Sequence, residues 1–204
     1  MGSPLARINV PADAWDLIWS FVHRVLVVNL GLAVATSPLL LALAIVSDPL
    51  GYPVFFGLLG LTVGPALAAS FAYLGDEGSY FHCYRRVAVS ALLPWALTLA
   101  AVGILVTDIV ALHDTRSGAA LVPLLAVLAV LALSAGLTRL ATPGLPPRVA
   151  LYATVRRPHL TLLSLVVLAA AAVIVNQVPL AGLATVPGCA LWVVLINTRV
   201  QFSR

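Results

Sequence analysis

Six apolar runs constrain this chain more than any other feature of its sequence. They cover residues 25–46, 53–74, 88–110, 119–140, 160–177 and 180–197. A helix needs about 20 consecutive apolar residues to cross a hydrocarbon core. A helix is also the only single segment that satisfies every backbone N–H and C=O without water. The predicted fold class is therefore all-α: a polytopic membrane bundle of six transmembrane helices. Composition closes the soluble alternative. The 204 residues are 62% hydrophobic and 9% charged, against roughly 25% charged in a soluble domain.

The last two runs are separated only by "NQVP", 176–179. Unsplit, they would be far too long for one crossing, so the division falls there. Pro179 then stands at the first helical position, where its missing N–H costs nothing.

The basic residues support six crossings. Lysine is absent, and all 11 basic side chains are Arg. With six spans, one side holds Arg7, Arg24, Arg85, Arg86, Arg139, Arg148, Arg156, Arg157, Arg199 and Arg204, and only Arg116 lies opposite. Positive residues mark the cytoplasmic side, so both termini are expected in the cytoplasm of a bacterial cell, with the chain multi-pass in the plasma membrane. The net charge of +4 then reports orientation in the bilayer, and no nucleic-acid partner is expected.

Three regions follow. Residues 1–24 are expected to form a cytoplasmic interfacial amphipathic helix, capped by Asp13, with Trp15, Ile18, Trp19 and Val22 on one face. Residues 25–197 form a single transmembrane domain, and 198–204 a cytoplasmic tail. The start, "MGSPLARINVPADAW", lacks the apolar stretch of a cleavable signal peptide. The segment 142–160, "TPGLPPRVALYATVRRPHL", reads equally as a short basic amphipathic helix between Pro147 and Pro158 or as a solvated linker.

The second run contains "GPALAA" at 64–69. Pro65 cannot donate to the Leu61 carbonyl, and its ring pushes that carbonyl away. A kink is expected, with the Thr62 hydroxyl serving the freed carbonyl. Gly60, Gly64, Ala68 and Ala72 recur every fourth residue beside Pro65 and form a flat ridge for close helix approach. That ridge reads either as packing at the bundle centre, including a partner interface, or as the wall of a cavity or hinge.

Chemistry is sparse. Ionisable residues inside a membrane are functional by default, and the runs hold almost none. Asn29 is the most notable polar residue, with Thr36 deeper in the same run. It either bonds a neighbouring helix or touches a ligand. His23, His82, His113 and His159 fall in loops or at edges, so paired haem ligands are not formed. Asp108, His113 and Asp114 fit no recurrent metal spacing, and Cys83 and Cys189 no zinc pattern. No cofactor, metal site or catalytic constellation is expected.

Taken in order, the amphipathic start, the first span with Asn29 and Pro38, "GPALAA" and the turn "GDEGSYFHCYRRV" resemble the YesL-like family of small bacterial membrane proteins. The likeness covers roughly 25–90 by motif, through Gly64, Pro65, Ala66, Glu77, Phe81, Arg85 and Arg86. It implies a non-enzymatic accessory role beside a carbohydrate ABC transporter, with membrane subunits of that transporter as partners. Arg85, Arg86, Arg148, Arg156 and Arg157 would then be cytoplasmic basic contacts. The alternative is a small-molecule-binding membrane component resembling the specificity subunits of vitamin importers, with Asn29, Thr36 and Trp95 at its ligand.

Overall fold

A computed structural model describes residues 12–75, 78–113, 115 and 118–202. Among these residues there are eight α-helices and no strand: α1 (Ala12–Ile45), α2 (Pro53–Leu61), α3 (Val63–Gly75), α4 (Tyr80–Leu112), α5 (Gly118–Ala141), α6 (Pro147–Arg156), α7 (Pro158–Gln177) and α8 (Pro179–Phe202). Arg7, Asp76, Glu77, Asp114, Arg116 and Arg204 lie outside the described residues, and nothing is described of the Asp13 side chain.

Six helical units are long and apolar enough to cross a membrane, with α2 and α3 counted as one. The chain is thus an all-helical, multi-pass membrane protein. Proline sets several starts. Pro53, Pro147 and Pro158 open α2, α6 and α7, and Pro179 opens α8 as the sequence requires. Asp48 caps a short 3-10 turn, Pro49–Gly51, by accepting the Gly51 N–H at 3.3 Å.

Two helices are longer than the hydropathy runs suggest. At 1.5 Å per residue, α1 and α4 each extend about 50 Å, well beyond a hydrocarbon core of about 30 Å. No helix break separates 12–24 from 25–45, because no Gly or Pro falls between Ala12 and Leu30. Residues 15–23 of α1 are exposed. Likewise α4 begins at Tyr80, so the stretch carrying His82, Arg85 and Arg86 is helix rather than loop. At the other end of the chain, α8 continues to Phe202, taking most of the expected tail into the helix.

The second crossing is broken at Thr62, between α2 and α3 and one turn before Pro65. Contrary to expectation, the Thr62 hydroxyl does not serve the Leu61 carbonyl. It donates to Ala35 O on α1 at 3.0 Å and to Leu59 O at 2.8 Å. A similar repair occurs within α1. Pro38 leaves Val34 O without its helical N–H, and the Ser37 hydroxyl donates to that oxygen at 2.8 Å.

The core lies along α3, which packs on α1, α4, α5 and α8. Phe71, Ala66, Ala69, Val28 and Cys83 are buried at its centre. On the flank, α7 packs chiefly on α8, while α6 joins the ends of α5 and α7.

Candidate functional site

The expected site residues divide by what they touch. Asn29 is 1% exposed. Its Nδ2 donates to Ala184 O at 2.7 Å, and its Oδ1 accepts the Gly188 N–H at 2.5 Å. Ala184 and Gly188 are the acceptor and donor of one turn of α8, so the carboxamide docks on the helix ladder itself. Gly188 makes this approach possible: a Cβ there would meet Val25 O at 2.9 Å and Asn29 Oδ1 at 3.0 Å. Of the two readings of Asn29, the helix bond is the one observed.

Trp95 is also committed. Its Nε1 donates to Gly60 O at 2.9 Å. Thr36 donates to Leu32 O within its own helix at 2.8 Å. Asn29, Thr36 and Trp95 therefore bond three different backbone segments and do not converge on one ligand.

The small-residue ridge faces inward. A Cβ on Gly64 would lie 2.3 Å from Trp95 Cγ, and one on Gly60 would lie 3.3 Å from Leu99 Cδ1. Pro65 and Ala68 are buried, and Ala72 packs against the core. Gly60 and Gly64 are covered by α4 of the same chain, which corrects their expected use as a surface for a partner, while Ala72 and Ala68 stand on the walls of the two spaces described below.

Among the basic positions, Arg85 lies over the Phe81 ring at 6.0 Å. Arg148 and Arg156 are exposed on α6, whose other face buries Ala150, Ala153 and Thr154. This settles the 142–160 segment as a helix rather than a linker. Arg157 donates through Nη1 to Val200 O, tying the α6–α7 corner to the end of α8.

Two features were not visible in the sequence. The first is a cavity of about 830 Å³ at the arginine-bearing end, between the ends of α3, α5 and α8 and the start of α4. Arg86 and Arg199 line it, with Phe71, Leu195 and Phe202 as apolar walls. A neighbouring space of about 360 Å³ shares Val87, Ser90, Leu140 and Pro143 with it and is lined by Arg139. Arg139 and Arg199 stand in the last turns of their helices, where the dipole favours cations. The second is an apolar groove of about 620 Å³ between α5 and α7, lined by residues including Val127, Val130 and Leu162, with Thr154 and Thr161 also on its wall.

Among the described residues, no three His, Cys, Asp or Glu side chains gather where a metal could be held. No family model matches the chain, and neither a curated protein nor a solved structure is found to be similar to it.

Proposed function

We propose that this chain is a non-enzymatic accessory subunit that packs against partner transmembrane proteins, with both termini in the cytoplasm of a bacterium. The groove between α5 and α7 is the observation that carries this reading. Other neighbouring spans close on one another, whereas α5 and α7 have no extended contact above α6. The groove offers apolar walls at the depth of the spans. Without a hydrophobic driving force in lipid, helices associate where shapes fit, and an open furrow between two helices accepts the ridge of a third.

The partner class comes from the resemblance of residues 25–90 to YesL-like proteins: the membrane subunits of a carbohydrate ABC transporter. The exposed turns of α1, with Trp15 and Trp19, rest at the headgroup level in this reading, where Trp is favoured.

Gentle purification of the tagged chain from its native membrane, followed by mass spectrometry, tests it. Stoichiometric transporter subunits are expected, and Val127→Trp with Leu162→Trp, both exposed groove positions, should lower their recovery without unfolding the bundle. Recovery of the chain alone, or a groove variant that keeps its partner, defeats the proposal.

A second reading, a small-molecule-binding component of a transporter, is supported by the cavity at the arginine-bearing end. Its volume of about 830 Å³ falls within the range of ligand sites, about 300–1,000 Å³.

A further inference from the structure

We infer that the outward face of α6 is a docking surface for an anionic phospholipid, whose headgroup is held by the row Arg148, Tyr152 and Arg156. The inference goes beyond the partner reading of the groove and does not depend on it.

With ten residues, α6 extends about 15 Å, half of a hydrocarbon core, and crosses nothing. One face is turned inward: Ala150, Ala153 and Thr154 are buried, and the helix packs on α5. The last turn is held as well, since the Thr161 hydroxyl of α7 donates to Thr154 O at 3.1 Å. The opposite face is therefore presented in a fixed direction.

That face combines two chemistries. Arg148, Tyr152 and Arg156 recur every fourth residue and form one row, about 12 Å from end to end along the axis. Leu151 and Val155 border the row on one side and Val149 on the other, and all six residues are exposed. Tyr152 is 64% exposed and Val155 57%. Water would leave four large apolar side chains unsuited, and hydrocarbon would leave two guanidinium groups so. The boundary between headgroups and acyl chains suits both.

The placement of α6 agrees. Arg157, the next residue, donates to Val200 O near the end of α8. Arg139 and Arg199 stand in the last turns of α5 and α8. The helix thus lies at the arginine-bearing end of the crossings, where the headgroups begin.

Charge selects the lipid. No Asp or Glu follows Asp114 in the chain, so α6 and the two helices it packs on, α5 and α7, hold no carboxylate to neutralise Arg148 or Arg156. A zwitterionic lipid brings its own cation beside each phosphate. An anionic lipid leaves the attraction uncancelled, and the arginine fork takes phosphate oxygens in pairs.

The test titrates the full chain, purified in detergent and stripped of lipid, with phosphatidylglycerol and with phosphatidylcholine of the same acyl chains. Native mass spectrometry reads the binding. Phosphatidylglycerol should bind about twentyfold more tightly or better, at about fivefold for each arginine. Arg148→Gln and Arg156→Gln should each cost about that fivefold, and the double variant should bind the two lipids alike. Arg148→Lys with Arg156→Lys, which keeps both charges, should retain most of the preference. Arg85→Gln, an exposed change on α4, should leave it unaltered. Thermal unfolding without lipid checks that each variant is folded.

Equal binding of the two lipids by the unaltered chain overturns the inference, as does a preference that survives the double variant. A loss in Arg85→Gln as large as that in Arg156→Gln would show diffuse charge attraction and remove the assignment to this face. Maleimide labelling of Tyr152→Cys, read at that residue, separates lipid from protein. Protection by added phosphatidylglycerol is expected, and protection only by a copurified protein overturns the lipid assignment.

Discussion

Asn29 and Gly188 are joined across the α1–α8 interface by a hydrogen bond of 2.5 Å, from the Gly188 N–H to Asn29 Oδ1. The other end of the same carboxamide donates to Ala184 O at 2.7 Å. One neutral side chain thus supplies an acceptor and a donor to a single helical turn. Pro187, next to Gly188, has no N–H to offer Leu183 O, so this is the turn of α8 where the regular ladder is already interrupted.

Replacing Asn29 by Asp should hurt more than replacing it by Ala. A carboxylate still accepts from Gly188 but opposes Ala184 O and buries a charge. Alanine frees the two backbone groups to pair with each other and should cost about 1–3 kcal/mol. Thermal unfolding in detergent ranks the variants. Equal midpoints for Asn29→Asp and Asn29→Ala would show that the donor half of the contact contributes nothing.

The glycines of the second and third crossings should divide sharply. Gly64→Ala drives a methyl into Trp95 and should destabilise the bundle by about 1–3 kcal/mol through overpacking. It should also disturb the Trp95 bond to Gly60 O, seen as a change in tryptophan emission. Gly57 and Gly103 face open space, so alanine there should be neutral or stabilising by up to about 1 kcal/mol. If all three behave alike, the close approach of α3 and α4 is wrong.

The two thiols offer an internal reporter of unfolding. Cys189 is exposed on the outside of α8, and Cys83 is buried where α4 meets the core. In detergent, N-ethylmaleimide should label Cys189 in the folded protein and Cys83 only after heating through the transition. Labelling of Cys83 at the same rate in the cold would mean that the start of α4 is not packed.

Hydropathy was sufficient to read the six crossings, because span length is a property of local composition. Pro179 gave the last division correctly for the same local reason. The continuity of α1 and the early start of α4 were also within reach. Neither Arg24–Val25 nor the stretch from Tyr80 to Val87 contains a residue that breaks a helix, and charge alone does not end one. What escaped the sequence needs distant partners. The small ridge announced close packing at Gly64, but only the fold names Trp95 as its occupant. The Thr62 hydroxyl serves a local acceptor, Leu59 O rather than Leu61 O, and is shared with Ala35 O on another helix, which no local pattern announces. The cavity was the hardest feature to see, because Arg86, Arg139 and Arg199 share no spacing. Their association is made by three helix ends meeting.

The Asn29 contact also orders events during biogenesis. It couples two spans whose bonded residues lie 159 positions apart in the chain, so α1 waits in the bilayer with its carboxamide unmatched until α8 has been inserted. A nascent chain that stops short of Ala184 presents that polar group to lipid or to another protein. Insertion of α8 removes it from view. The same two hydrogen bonds therefore distinguish a bundle that holds α8 from one that lacks it, by whether a carboxamide is left facing lipid.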